Sequence, residues 1–135
     1  MKPSLKKLLI QHEGLRLKPY VDSLGHPTIG VGHKIRPITH ARAMELLQQD
    51  VDIAIDGAMK FRWFPRLSLV RQDVIISMIF NMGLRRFKTF KRMIAALRKD
   101  YFCEAANELL DSLYHVQVGE RAEELAEMLR LDVRY

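Results

Sequence analysis

Cysteine is almost absent from this chain of 135 residues. Its single thiol, Cys103, excludes an intramolecular disulfide and leaves too few sulfur ligands for a Cys-rich zinc site, so an inert side chain is expected there. Glycine and proline are scarce, at 7 and 5 residues, which excludes collagen-like and low-complexity chains. Long hydrophobic runs are missing as well. The longest nearly apolar stretch, Val74 to Phe80, falls far short of the ~20 residues of a membrane span. Near the N-terminus the apolar patch is only Leu8-Leu9-Ile10, with His12-Glu13 close behind, so neither a signal peptide nor a transmembrane segment is expected.

What is present is the composition of a packed domain, 48% hydrophobic and 28% charged. A chain of this length buries roughly two thirds of its unfolded surface, enough to fold without staples. One domain over 1–135 is the expectation.

Charge is unevenly placed. Lys plus Arg number 22 against 16 Asp plus Glu, for a net +6. Residues 84–99 hold Arg85, Arg86, Lys88, Lys91, Arg92, Arg98 and Lys99 with no acid. From 100 to 135 nine acids outnumber three arginines. Two readings stand: a basic helix beside acidic ones, or a surface for an anionic partner such as nucleic acid, a phosphate-rich membrane or an acidic polymer.

Hydrophobic spacing places the elements. Ser4 suits the cap of a helix over 4–13, with Leu5, Leu8 and Leu9 on one face and Gly14 as its stop. Residues 15–35 read as extended chain around a turn at Ser23-Leu24-Gly25-His26-Pro27, a small antiparallel sheet. Thr39 opens a long helix to about Met59, with Ala43, Leu46, Leu47, Val51, Ala54 and Ile55 in one stripe. Pro65 interrupts, and Leu69 to Asn81 form a nearly all-round apolar helix stopped by Gly83, which predicts the buried centre. Leu84-Arg85-Arg86 reads as a turn. Shorter helices are expected at about 89–98, 101–113 and 119–130. The fold class is therefore α+β and predominantly α-helical.

Glu13 is the most informative residue. It occupies the last turn of the first helix, where the negative end of the dipole disfavours a carboxylate by up to ~1 kcal/mol. Partial burial would add to that and keep the acid protonated near neutral pH, as a general acid requires. Asp22 lies nine residues on, across the start of the sheet, and Thr28 follows with a hydroxyl able to hold water. Two carboxylates in unlike settings are the equipment of glycoside hydrolysis. On spacing alone, a solvated helix end and a turn carboxylate explain the pair equally well.

The surrounding residues add a second argument. The stretch from Glu13-Gly14 through Tyr20-Val21-Asp22 to Thr28-Ile29-Gly30-Val31-Gly32-His33 closely resembles the active-site hairpin of phage-type lysozymes, glycoside hydrolase family 24. The likeness continues in Ile38-Thr39 and Ala43-x-x-Leu46-Leu47-x-x-Asp50, in Met78-Ile79-Phe80-Asn81-Met82-Gly83 and in Phe87 to Met93. Weaker similarity reaches Glu104-Ala105-Ala106 and Gln117 to Arg121.

The resemblance implies a lysozyme-like domain with a small N-terminal sheet lobe and a helical lobe joined by the helix at about 39–59. It implies an endo-acting N-acetylmuramidase cleaving the β-1,4 bond between N-acetylmuramic acid and N-acetylglucosamine of peptidoglycan during bacterial cell lysis. Glu13 would protonate the leaving oxygen, Asp22 would stabilise the cationic transition state or position water, and Thr28 would help hold that water. Lys34, Phe80, Phe90 and Glu108 stand where saccharide contacts are expected, although Phe80 and Phe90 suit a core equally well and Glu108 replaces an uncharged polar residue. His33 takes the place of a structural histidine near the site, but its usual acidic partner is missing from Phe64-Pro65-Arg66-Leu67-Ser68. Tyr114 stands where family members often have Trp.

No metal or cofactor is implied, since paired carboxylates need none and the five histidines show no ligand spacing. Two other functions remain at this point, a cationic wall- or membrane-binding antibacterial module and a lytic transglycosylase. Nucleic acid is not the expected partner, because no recognised motif accompanies the charge. A monomer is expected, made in a host cytoplasm, reaching the periplasmic wall on release, with 84–99 holding it at the anionic bacterial surface.

Overall fold

The computed structural model describes the backbone of residues 3–13, 16–21, 27–30 and 39–134, and the side chains of 5–11 and 39–134. The chain divides into two compact units, Met1–Ile53 and Ala54–Tyr135, with the boundary inside a helix.

In the first unit, α1 spans Pro3–Glu13 and buries Leu5, Leu8 and Leu9, the i, i+3, i+4 positions that share a helix face. Strands β1 (Arg16–Val21) and β2 (Pro27–Gly30) pair antiparallel, with Arg16 opposite Gly30, Tyr20 opposite Thr28 and Val21 opposite Pro27, and an irregularity between Arg16 and Tyr20. Among the described residues these are the only strands, so the fold is predominantly helical.

Helix α2, His40–Ala58, carries the chain from the first unit into the second. Thr39 caps it as its sequence predicts, the hydroxyl accepting from the Arg42 N–H at 3.1 Å. Ala43, Leu46, Leu47, Val51, Ala54 and Ala58 form its buried stripe. Exposed pairs Arg42–Glu45 (2.9 Å) and Gln48–Asp52 (2.7 Å) lace the opposite face at helical spacing.

The second unit is all helical. A one-turn 3-10 segment, Phe64–Arg66, precedes α3, Leu69–Met82. Ser68 caps α3 by accepting from the Arg71 N–H at 3.2 Å, and Gly83 closes it at φ +85°, a conformation that L side chains rarely adopt. As expected, α3 is the buried centre, with residues 73–79 all out of solvent. Two of those seven are polar. Asp73 is wholly buried and accepts from the Arg134 guanidinium at 2.6 Å, which ties the C-terminal residues to α3.

The expected turn at Leu84-Arg85-Arg86 is instead a short helix, α4, Leu84–Phe87, which buries Phe87 completely. Helix α5 is Lys91–Arg98 and begins two residues later than expected, because Phe90 is non-helical at φ −80°, ψ 60°. The helix expected over 101–113 is α6 and ends earlier, at Leu110 (Phe102–Leu110), and a further short helix that was not expected, α7 (Leu113–Val118), follows it. Ser112 divides them: its side chain accepts from the His115 N–H and caps the new helix. Helix α8, Glu120–Leu131, completes the chain. Helix α6 packs on α5, α7 and α8, and α3 on α4 and α8. Arg71 reinforces the last of these contacts. It donates to the Leu129 carbonyl at 2.7 Å, and its guanidinium lies 3.8 Å from the Phe102 ring centre. Cys103 is exposed rather than core filling.

Candidate active site

Glu13 is the last residue of α1, at the helix end its sequence position predicts. Thr28 lies in β2, opposite Tyr20. The side chains of Glu13 and Thr28 fall outside the described residues, as do Asp22, His33 and Lys34 altogether.

The predicted residues of the second unit are fully described. Phe90 and Glu108 come together on the wall of one groove of about 570 Å³. Phe80, half-buried near the end of α3, does not line it. Phe90 reaches the groove because the chain leaves helical geometry there, between α4 and α5. Its ring stacks on buried Phe87 with centroids 6.3 Å apart and meets the Tyr114 ring edge-on at 6.4 Å. Glu108 arrives from α6, and Asp111 from the α6–α7 junction. Arg86, Lys91 and Arg92 face these two carboxylates from the basic segment.

Four of these lining residues, Arg86, Lys91, Arg92 and Asp111, were not among those expected at the site. Tyr114 had drawn notice only as a residue standing in for Trp. The signal for it was Ser112 three residues before His115, a cap that starts the short helix delivering Tyr114 to the groove. The groove's hydroxyls already hold the backbone: Thr89 donates to the Arg86 carbonyl at 2.6 Å and Ser112 to the Leu109 carbonyl at 2.5 Å. Arg86 also donates to the Gln117 side chain. An aromatic wall flanked by charges of both signs suits a neutral, hydroxyl-rich ring, whose apolar face packs on Phe90 while its polar rim takes hydrogen bonds.

His115, next to Tyr114 in α7, does not line the groove but ties α7 to its neighbours. Its Nδ1 lies 2.8 Å from the Leu110 carbonyl and its Nε2 3.3 Å from a Glu123 carboxylate oxygen. The Leu110 carbonyl, then Glu123, raise its pKa above the ordinary 6.5, against the opposing effect of burial. Among the described residues no group of His, Cys, Asp and Glu is arranged to hold a metal ion, and no helix is long and apolar enough to cross a membrane.

Comparison with known proteins agrees with these features. The phage lysozyme family matches residues 10–127, a span that includes Glu13, Asp22, Thr28 and the whole groove. Probable T4-type lysozyme 1 of Dictyostelium discoideum is 25% identical over a 154-residue alignment that covers 90% of this chain and 91% of that protein. The endolysin of Salmonella phage P22 is 37% identical over 89 residues, 58% of this chain and 60% of that one. The pre-baseplate central spike protein Gp5 of Enterobacteria phage T4 is 28% identical over 151 residues, 88% of this chain but 26% of its own length. The chain belongs to the phage lysozyme family. It is a glycoside hydrolase, a lysozyme that hydrolyses peptidoglycan.

Proposed function

We propose that the chain is a single catalytic domain of two lobes, the first with a small sheet, in which Glu13 is the general acid that protonates the leaving glycosidic oxygen. Asp22 stabilises the cationic transition state or positions the attacking water, and Thr28 helps hold that water. Carriage of water between two carboxylates leads to inversion, which requires the wider of the two carboxylate spacings used by glycosidases. Lys34, Phe80, Phe90 and Glu108 contact saccharide, and His33 is structural. The enzyme acts as a monomer, is made in a host cytoplasm and meets the wall on release.

One observation carries this reading. Glu13 closes α1, where the dipole disfavours a charged carboxylate, and the hairpin that follows sets Thr28 opposite Tyr20, two residues before Asp22. The groove of Phe90 and Glu108 supports the assignment of a saccharide-binding surface to the second unit. Glu13→Gln is expected to abolish clearing of outer-membrane-permeabilised cells while the helical circular dichroism is retained. Full activity in that variant removes Glu13 from the mechanism. Mass spectrometry of released muropeptides is expected to show reducing ends; anhydro ends would mean a lytic transglycosylase, which needs one acid and no water-holding partner.

A second reading is favoured by the basic segment. Among the described residues its seven cations form no ion pair, and Arg85, Lys88, Arg98 and Lys99 lie outside the groove that holds Glu108 and Asp111, so 84–99 keeps a net positive charge suited to an anionic bacterial surface. If that charge is the antibacterial principle, Glu13→Gln keeps its bactericidal effect while neutralising Arg85, Arg86, Lys91 and Arg92 together removes it.

A further inference from the structure

A second hollow in the same unit, also about 570 Å³, lies away from the Phe90 groove and shares no lining residue with it. Its six lining residues are Lys60, Phe61, Arg62, Trp63, Arg66 and Arg98. Four are cations and none is an acid. Lys60, Arg62 and Arg66 come from the turn and 3-10 segment after α2, and Arg98 comes from the last turn of α5, 32 residues beyond Arg66.

The arrangement is built rather than incidental. Arg66 donates to the Arg98 carbonyl at 3.0 Å, which locks the two elements together, and pairs with Asp100 at an exposed 3.8 Å. Lys60, Arg62 and the Arg98 guanidinium have no ion pair or side-chain hydrogen bond among the described residues. The floor is aromatic and rigid: Phe61 stacks on Trp63 at 4.8 Å and meets Phe87 edge-on at 5.6 Å. Trp63 is 3% exposed, and its indole N–H is buried with no hydrogen-bond partner. Like charges gathered over an apolar floor repel one another, and no lining residue offsets this; Asp100, outside the lining, pairs with Arg66 alone.

We propose that this hollow binds a phosphate group, either as free phosphate or as the headgroup of an anionic lipid. Several guanidinium and ammonium donors lining one site suit the tetrahedrally arranged oxygens of a phosphate group, which carries up to −2 when free and −1 in a lipid phosphodiester, whereas a carboxylate presents its two oxygens in one plane. The site lies outside the candidate catalytic residues, so its occupancy acts on where the enzyme sits rather than on the bond it cleaves.

Trp63 is the only tryptophan in the chain, so intrinsic fluorescence reads this hollow directly. The full-length protein is titrated with inorganic phosphate, with acetate and with vesicles of phosphatidylglycerol or phosphatidylcholine, at constant ionic strength so that general screening cancels. A saturable change with phosphate, absent with acetate, is expected. Arg62→Gln with Arg98→Gln should weaken it at least tenfold, while Lys7→Gln with Arg42→Gln, which removes the same charge elsewhere, should change it less than twofold. Phosphatidylglycerol vesicles that produce the same change and are displaced by phosphate identify a lipid headgroup; phosphate binding without vesicle binding identifies free phosphate. No saturable change with either, equal binding of acetate, or equal weakening by both double variants overturns the proposal. Both double variants are checked for unchanged circular dichroism and thermal midpoint, and because the substituted side chains are exposed, folding is expected to survive.

Discussion

The groove at Phe90 and the hollow at Trp63 have the same size and nearly the same floor, yet opposite electrostatics. One ladder of rings supplies both: Trp63, Phe61, Phe87, Phe90 and Tyr114, each in contact with the next at 4.8 to 6.4 Å. In the groove, Arg86, Lys91 and Arg92 are answered by Glu108 and Asp111; in the hollow, four cations stand without a lining acid. A shared apolar frame thus leaves ligand class to the charges around it. Charge of both signs suits a ring rich in hydroxyls, and charge of one sign suits an anion.

The two sites can be broken together or apart. The largest effect is expected from Phe87→Ala. Phe87 is fully buried at the middle of the ladder, and its loss should cost ~3–5 kcal/mol in denaturant unfolding through lost transfer energy and a residual cavity. Both the phosphate response of Trp63 and lysozyme activity should weaken in that variant. Retention of either at wild-type strength would mean the sites do not share a frame.

Glu108→Gln should separate the sites. A net ~0.5–1.5 kcal/mol for one hydrogen bond translates into roughly a two- to tenfold change in KM on peptidoglycan fragments, with kcat within about twofold. The phosphate midpoint at Trp63 should not move. A fall in kcat alone would place Glu108 in the chemistry instead of in binding.

Gly57→Ala should act on neither. Gly57 lies next to the last residue of α2, and a methyl group there meets Ile79 Cγ2 at 3.5 Å and the Leu84 methyls at 3.6 Å, ordinary contact distances. The substitution should stabilise the protein by ~0.5 kcal/mol through reduced backbone entropy, with a higher thermal midpoint and unchanged activity. Destabilisation would show that the helix end cannot accept even this contact.

The smallest effect is that of pH on His115, whose ring is accessible to water. A pKa raised in the folded state means that folding favours the charged imidazolium. Its contribution is complete below about pH 6.5, the unfolded value, and is lost as pH rises through the higher folded value. Since His115 holds α7 at the Leu110 carbonyl, alkaline pH should loosen the groove and leave the hollow intact. The thermal midpoint of the wild type should fall relative to that of His115→Gln between pH 6 and pH 8. Parallel curves would remove His115 from the stability of α7.

Much of this architecture was legible before any fold was known. Thr39 and Gly83 marked helix ends by local hydrogen bonding and backbone freedom, and the stripe from Ala43 to Ala54 marked a buried face by its period alone. The helix of Leu113–Val118 was not predicted, because six residues are too few to show a period, although Ser112 caps it by a local hydrogen bond. The helix of Leu84–Phe87 was hidden because four residues are too few to show a period. In the candidate groove, Phe90 and Glu108 were picked out through a family pattern, whereas Arg86, Lys91, Arg92 and Asp111 were indistinguishable from solvated charges.

The sequence by itself determined the local matters: where α1, α2 and α3 run, which faces they bury, and that the stretch from Glu13 to His33 resembles a phage lysozyme motif. These follow from short-range sterics, capping and periodicity, or from a motif contiguous in the chain. Only the tertiary structure decided which charges share a wall. Arg98 meets Arg66 across 32 residues, and Glu108 meets Phe90 across two helices. Such meetings depend on how packed helices orient their surfaces, and no local rule along the chain records that orientation.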